Sequence, residues 1–123
     1  MLLDAERHGA GLDRVIGDDD DVAMATVTVA ELLVVGVELA DRRRRPGRER
    51  YVSDLVATIP IEPYDLEVAR THAGLLVHSR SARRHRGAHD LIIAATALAR
   101  ARTVVTTDAT GFEDLPGVAV KLA

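Results

Sequence analysis

Short runs rich in apolar and β-branched residues alternate along the chain with segments whose apolar positions recur at helical spacing. Such runs, bounded by turn residues, are typical of β-strands. The predicted strands are residues 22–27, 58–63, 103–106 and 118–122. Pro60 and Pro63 indicate that the second of these strands is short or lies at a sheet edge.

The segments between the predicted strands have helical periodicity. Helices are predicted at residues 12–16, 28 to about 45, 48–57 and 89–101, with a loop at 18–21. The Pro46-Gly47 pair is predicted to end the second helix. A further helix is predicted from an apolar face made of Leu66, Ala69, Ala73 and Leu76. Strands separated by helices favour parallel pairing, so the fold class is α/β with a central parallel sheet.

Three carboxylates occur where a predicted strand is followed by a helix or turn. They are Glu31, Asp90 and Asp108. If the strands are parallel neighbours, these positions share one edge of the sheet, where open α/β folds bind their ligands. Three carboxylates at one edge predict a site for a divalent metal ion.

Each acid taken alone also has a structural explanation. Thr28 and Glu31 have the spacing of a capping box, in which both side chains bind free amides of the first helical turn. Asp90 is favoured near a helix start by the helix dipole. Asp108 precedes a turn-forming segment, where aspartate caps the backbone. For each acid alone, both explanations remain open.

The three acids together favour the metal site. Two carboxylates about 4 Å apart repel by about 4 kcal/mol at an effective dielectric constant near 20, so a cluster without basic partners needs protons or a cation. Mg²⁺ and Mn²⁺ prefer oxygen ligands and retain waters, which leaves coordination positions for a phosphate. A metal-bound water is then the nucleophile for phosphodiester hydrolysis.

Composition restricts the class of protein. The chain has 123 residues, 47% of them hydrophobic, and contains no cysteine. This length predicts one domain with a buried core, and the lack of cysteine excludes disulfides, thiolate nucleophiles and Cys-type zinc sites. We find no targeting pattern and no apolar run of membrane-spanning length, so we expect a soluble cytoplasmic protein with no membrane partner.

The charged residues are sorted into blocks although the net charge is only −3. Residues 18–21 are acidic, whereas residues 42–50 and 80–86 are rich in arginine. Arginine forms bidentate contacts with phosphate, which allows a nucleic-acid partner. A solvated helix end or loop is the usual explanation for such blocks taken alone, whereas an acidic site nearby favours a polyanion.

Four parts of the chain resemble the PIN domain, and more narrowly the VapC toxins of bacterial toxin–antitoxin pairs. These parts are residues 28–32, 87–97 and 104–108, and Phe112 with Leu115-Pro116-Gly117. The resemblance implies a three-layer α/β/α fold, Mg²⁺- or Mn²⁺-dependent endoribonuclease activity on RNA, inhibition by a cognate VapB-type antitoxin, and a homodimer. It assigns Glu31, Asp90 and Asp108 as the catalytic metal ligands.

The chain departs from the PIN pattern at its first strand, which in the family ends in an aspartate. In one alignment Asp4 lies in the first helix, the family's first strand and acid lie upstream of Met1, and residues 1–123 form a single, N-terminally truncated domain. In the other, residues 1–4 form a minimal first strand and Asp4 is the fourth acid. The first alignment leaves more room for the usual helix before Glu31, and it is the one we expect.

A second departure follows Glu31. Family members usually place a glycine four residues after this glutamate, whereas Gly36 follows it by five. An extra residue within a helix is absorbed as a π-bulge or rotates all later positions by about 100°.

Two histidines, His85 and His89, lie beside Asp90. His89 is predicted either to assist catalysis or phosphate binding, or to make a hydrogen bond at the helix start. The alternative to an enzyme is a catalytically inactive PIN-like module that binds antitoxin or RNA, because three acids without a fourth bind metal less well.

Overall fold

The computed structural model describes residues 1–3, 21–38, 40–84 and 86–122. The strands in these ranges are β1 (Leu2–Leu3), β2 (Ala23–Ala25), β3 (Ile61–Glu62), β4 (Val104–Thr106) and β5 (Val120–Leu122). The helices are α1 (Thr26–Leu33), α2 (Arg45–Thr58), α3 (Leu66–Ser81) and α4 (Ala88–Ala99). A π-helical turn (Val34–Glu38) follows α1, and a 3₁₀ turn (Ala109–Phe112) follows β4.

The described strands form one sheet in the order β3-β2-β1-β4-β5, and every pair is parallel. Alternate residues of a strand face opposite sides of a sheet. Leu2, Ala23 and Val104 therefore pack with α3 and α4 on one side. Met24 and Val105 pack with α1, the π-helical turn and α2 on the other. This is the predicted three-layer α/β/α arrangement.

The predicted positions of most elements are confirmed. Helices cover residues 45–58 and 88–99, and strands cover 104–106 and 120–122. The strand with prolines on both sides is β3, which has only two residues and lies at the sheet edge. The predicted helix at 12–16 and most of the loop at 18–21 lie outside the described residues.

The first strand differs from the one in the alignment that we expected. Leu2–Leu3 forms a two-residue strand that pairs with β2 on one side and with β4 on the other. Leu2–Leu3 therefore occupies the central position of the sheet, which agrees with the second alignment. The amide of Leu2 donates to the carbonyl of Thr103 at 2.7 Å, and the amide of Ala23 donates to the carbonyl of Met1 at 2.9 Å. Asp4 itself lies outside the described residues.

The prediction of a capping box at Thr28 was wrong because α1 begins earlier than predicted. The helix starts at Thr26, and its N-cap residue, Ala25, has no side-chain cap. The β-branched residues at 26–29 are typical of a strand. However, β2 ends at Ala25, which pairs with Glu62 of β3, so the chain turns into the helix at Thr26. Thr28 lies inside the helix, is buried, and its hydroxyl has no hydrogen-bond partner in the described ranges.

The single helix predicted from 28 to about 45 was also wrong. Helix α1 ends at Leu33, and the π-helical turn at Val34–Glu38 contains the displaced Gly36. The extra residue is therefore absorbed as a π-bulge, the first of the two possibilities. Pro46 does not end a helix. It lies in the first turn of α2, where its missing N–H leaves no bond unmade.

The core face predicted for α3 differs from the buried face in the structure by a rotation about the helix axis. Val68, Leu75 and Ser79 are its buried residues, while the side chains of Leu66 and Val77 are 65% and 64% exposed. Apolar residues occur on both faces of this helix, so periodicity alone selected the wrong one. In the described part of the chain, no helix is long and apolar enough to cross a membrane.

An acidic and arginine-rich network fixes the start of α3. Asp65 accepts a hydrogen bond from the Val68 amide at 3.1 Å and binds Arg100. Arg100 also lies 3.3 Å from Glu62 and 2.9 Å from Glu67. The Val68 amide and Arg100 hold the pKa of the Asp65 carboxyl below its ordinary value of 3.8.

This network predicts a dependence of stability on pH. Because the pKa of Asp65 is lowered by folding, its charge stabilises the protein above pH 3.8, and this contribution is lost as the pH falls through the lowered pKa. Asp65→Asn keeps an oxygen for the Val68 amide but carries no charge. Urea unfolding should show the wild type more stable than the variant at neutral pH, with a difference that shrinks on acidification. A difference that is constant with pH would contradict this account.

Candidate functional site

The sheet brings two of the predicted acidic segments to one edge. Strands β2 and β4 lie on either side of β1, and the register sets Met24 and Val105 level with Leu3. Helix α1 leaves the carboxyl end of β2, and Asp108 follows the carboxyl end of β4. This edge is the ligand-binding edge of open α/β folds, as the sequence predicts.

Glu31 lies in the second turn of α1, and its side chain is only 5% exposed. A carboxylate removed from water needs a compensating polar group. His89 provides one from α4, with Nδ1 at 2.5 Å from Oε1 of Glu31. Nothing in the sequence spacing of Glu31 and His89 indicates this contact. The contact brings Glu31 to the residue before Asp90.

Asp90 lies in the first turn of α4, where the helix dipole favours a negative charge. Its carboxylate is in close contact with the backbone of the 3₁₀ turn. A Cβ atom built on Gly111 would lie 2.2 Å from Oδ2 of Asp90, whereas one built on Gly87 would lie at 3.4 Å. The turn can therefore approach the carboxylate because residue 111 has no side chain.

Asp108 caps the 3₁₀ turn. Its Oδ1 accepts a hydrogen bond from the Thr110 amide at 3.0 Å, and its own amide donates to Oγ1 of Thr106 at 3.1 Å. The predicted turn-capping role is thus confirmed. The cap fixes the start of the turn whose third residue, Gly111, contacts Asp90.

The three acids therefore come from three segments that meet at the start of α4. Glu31 contacts His89, Asp90 contacts Gly111, and Asp108 caps the turn that contains Gly111. The carboxylate donor set suits a hard divalent cation such as Mg²⁺ or Mn²⁺. Within the described ranges, no group of three or more His, Asp or Glu side chains is arranged to hold a metal ion. Metal binding by these acids stays a prediction.

Two arginines of the 80–86 block contact the protein itself. Arg84 lies 2.7 Å from Oδ2 of Asp114 and 3.2 Å from Oε2 of Glu113. Arg86 is buried and donates to the carbonyl oxygen of Gly111 at 3.3 Å. Neither the RNA-contact nor the solvated-surface prediction describes this pair. A run of arginines gives no signal of which members turn inward. His85 lies outside the described residues.

Comparisons with known proteins agree with this architecture. The sequence profile of the PIN domain family matches residues 1–118. The VapBC-5 toxin–antitoxin structure from Mycobacterium tuberculosis matches with 31% sequence identity and a TM-score of 0.83, over 99% of this chain and 97% of that chain. FitAcB from Neisseria gonorrhoeae matches with 29% identity and a TM-score of 0.73, over 98% of this chain and 96% of that chain.

A more distant structure shares the fold. VapBC2 from Rickettsia felis, bound to a DNA fragment from its promoter, matches with 16% identity and a TM-score of 0.82, over 100% of this chain and 99% of that chain. No curated protein matches at a significant level. The profile match covers nearly the whole chain, and a VapBC structure is more than 30% identical over 99% of it. The chain therefore belongs to the PIN domain family, in its VapC branch.

Proposed function

We propose that this protein is the toxin of a toxin–antitoxin pair and acts as a metal-dependent endoribonuclease. PIN domains are generally nucleases, so hydrolysis of a phosphodiester bond is the reaction class that family membership favours. The observation that carries the proposal is the meeting of the three acidic segments at the start of α4, through the Glu31–His89 and Asp90–Gly111 contacts.

In this proposal Glu31, Asp90 and Asp108 hold Mg²⁺ or Mn²⁺ with their carboxylate oxygens. When bound, the cation activates a water and neutralises charge on the phosphate. Contacts within the protein hold these three side chains in place. Burial and His89 fix Glu31, the first turn of α4 fixes Asp90, and the hydrogen bond to Thr110 fixes Asp108.

A VapB-type antitoxin is the proposed protein partner, because the related VapBC-5 structure is described as a member of a family of toxin–antitoxin systems. The exposed apolar side chains of α1, the π-helical turn and α2 support a protein partner. Leu33, Val34, Tyr51 and Val56 are 47%, 49%, 46% and 41% exposed. Exposed large apolar groups of this kind are typical of interfaces. We also propose a homodimer, which size-exclusion chromatography with light scattering tests directly.

The first prediction concerns Asp90. Asp90→Asn keeps the shape of the side chain and removes its charge, so Mn²⁺-dependent RNA cleavage should fall by about 100-fold or more, the equivalent of several kcal/mol. Thermal stability without metal should stay equal or rise, since repulsion from the neighbouring acids is relieved. Asp54→Asn, on the exposed face of α2, is the control and should retain activity.

Two outcomes would count against the enzyme. Full activity in Asp90→Asn, together with reduced stability, would make Asp90 a structural residue. A wild-type protein that binds antitoxin or RNA but cleaves nothing with Mn²⁺ would support the inactive binding module instead.

The second prediction uses two glycines that face the same carboxylate. Gly111→Ala would place Cβ 2.2 Å from Oδ2 of Asp90 and must displace it, whereas Gly87→Ala would place Cβ at an ordinary 3.4 Å. Calorimetric titration should show Mn²⁺ affinity reduced by about tenfold or more in Gly111→Ala. Gly87→Ala is the matched control and should bind nearly as the wild type does. Equal affinities in the two variants would remove Asp90 from the metal site.

The third prediction concerns RNA binding by the exposed arginines of the 42–50 block. Arg42, Arg43 and Arg48 are exposed. Each contact with a single-stranded phosphate contributes about 0.7 to the slope of log affinity against log salt, so replacing all three by glutamine should reduce the slope by about 2. Arg70→Gln, on the exposed face of α3, is the control. An unchanged slope in the triple variant would assign the block to a solvated surface.

A further inference from the structure

The loop between α3 and α4 carries two arginines that bind the segment after Asp108. Arg86 donates from Nη1 to the carbonyl of Gly111 at 3.3 Å, and Arg84 donates from Nη2 to the carbonyl of Thr110 at 3.3 Å. Arg84 also binds the carboxylates of Glu113 and Asp114. These two guanidinium groups therefore hold successive carbonyls of the turn that contacts Asp90.

The burial of Arg86 is only partly compensated by hydrogen bonds to the described residues. The residue is 8% exposed, and its Nε and Nη2 atoms are buried without a hydrogen-bond partner among the described residues. Burial lowers the pKa of the Arg86 guanidinium, and the nearby charge of Arg84 adds to this effect. Buried donors without partners destabilise a protein, and apolar groups of similar volume are often better tolerated.

Backbone strain occurs on both sides of the Arg84–Asp114 contact. Arg83 has φ of 53° and Asp114 has φ of 63°, a left-handed conformation that is unfavourable for residues other than glycine. His78 Nε2 lies 3.1 Å from the carbonyl of Asp114 and anchors the same turn to α3. The conformation of Arg83 belongs to the C-terminal cap of α3, in which the amides of Arg83 and Arg84 donate to the carbonyls of Arg80 and Ser79. The long-range contacts of Arg84 and His78 then join this capped loop to the segment around Asp114.

We propose that Arg86, supported by Arg84, is a positioning residue that holds Gly111 against the Asp90 carboxylate. This role rests on the proposed metal site, because Arg86 aligns the turn that Asp108 caps with the Asp90 carboxylate. Arg86 donates to the backbone carbonyl of Gly111, so it acts on Asp90 through the turn.

The test compares Arg86→Met with Arg86→Lys and with the wild type. Arg86→Met fills similar volume without donors or charge, and Arg86→Lys keeps the charge. In Arg86→Met, Mn²⁺ affinity measured by calorimetry should fall by about 10- to 100-fold. The Tm without metal should be unchanged or higher, because the unpartnered donors are gone. Arg86→Lys should recover part of the affinity. Arg80→Met, an exposed position of the same block, is the control.

Hydrogen exchange of the metal-free protein separates this inference from the proposed function. The Thr110 amide is bonded to Asp108 Oδ1, so its exchange reports whether the turn is fixed. It should accelerate by about tenfold in Arg86→Met and not in Arg80→Met. If the wild type binds no Mn²⁺, the proposed function fails, while the exchange rates still decide the role of Arg86.

Three outcomes would overturn the positioning role. They are an unchanged exchange rate at Thr110, an unchanged Mn²⁺ affinity in a variant that has lost stability, and failure of Arg86→Met to fold. Each would make Arg86 a structural residue of the α3–α4 loop.

Discussion

Helix α4 is buried along most of its length, and the positions of the three predicted acids depend on this packing. Ile93, Ala94, Ala95 and Ala97 are fully buried against the sheet. Small side chains let a helix and a sheet approach closely, and close-packed interiors resist movement. The first turn of α4 is therefore held in a fixed position, and both the α1 segment and the 3₁₀ turn contact it. An acid in this turn gains its orientation from the core rather than from its own loop.

The described arginines differ in their environment, and membership of a sequence block does not predict which environment each one has. Arg100 and Arg102 are 19% and 15% exposed and share Glu62 as a carboxylate partner, so they stabilise the sheet edge at β3. Arg84 and Arg86 turn towards the segment after Asp108. Among the residues that the structure describes, the exposed arginines with few contacts are the ones left to bind a polyanion. The net charge of −3 is thus compatible with locally basic surface, because part of the positive charge is used inside the fold.

Local sequence pattern was sufficient for the order of the main helices and strands from β2 onwards and for the sheet edge that collects two of the acidic segments. Strand and helix periodicities specify the alternation, and parallel topology then brings the segments of Glu31 and Asp108 to one side. Features set by distant contacts could not be found this way. Thr28 lies inside α1 because β2 ends at Ala25, which pairs with the last residue of β3. Arg86 makes a hydrogen bond to the carbonyl of Gly111, which is 25 positions away in the sequence. Helix ends and inward-facing charges depend on neighbours that periodicity does not contain.

The π-helical turn shows how an inserted residue can leave the site unchanged. Leu32 and Val37 both pack on the side of the sheet that carries Met24 and Val105. Five residues of regular α-helix would separate their directions by about 140°, because each residue turns the chain by about 100°. The i to i+5 bonding of a π-helix brings residues five apart back to a similar direction. The insertion is therefore absorbed between Leu32 and Val37, after Glu31, and the glutamate keeps both its place in α1 and its contact with His89.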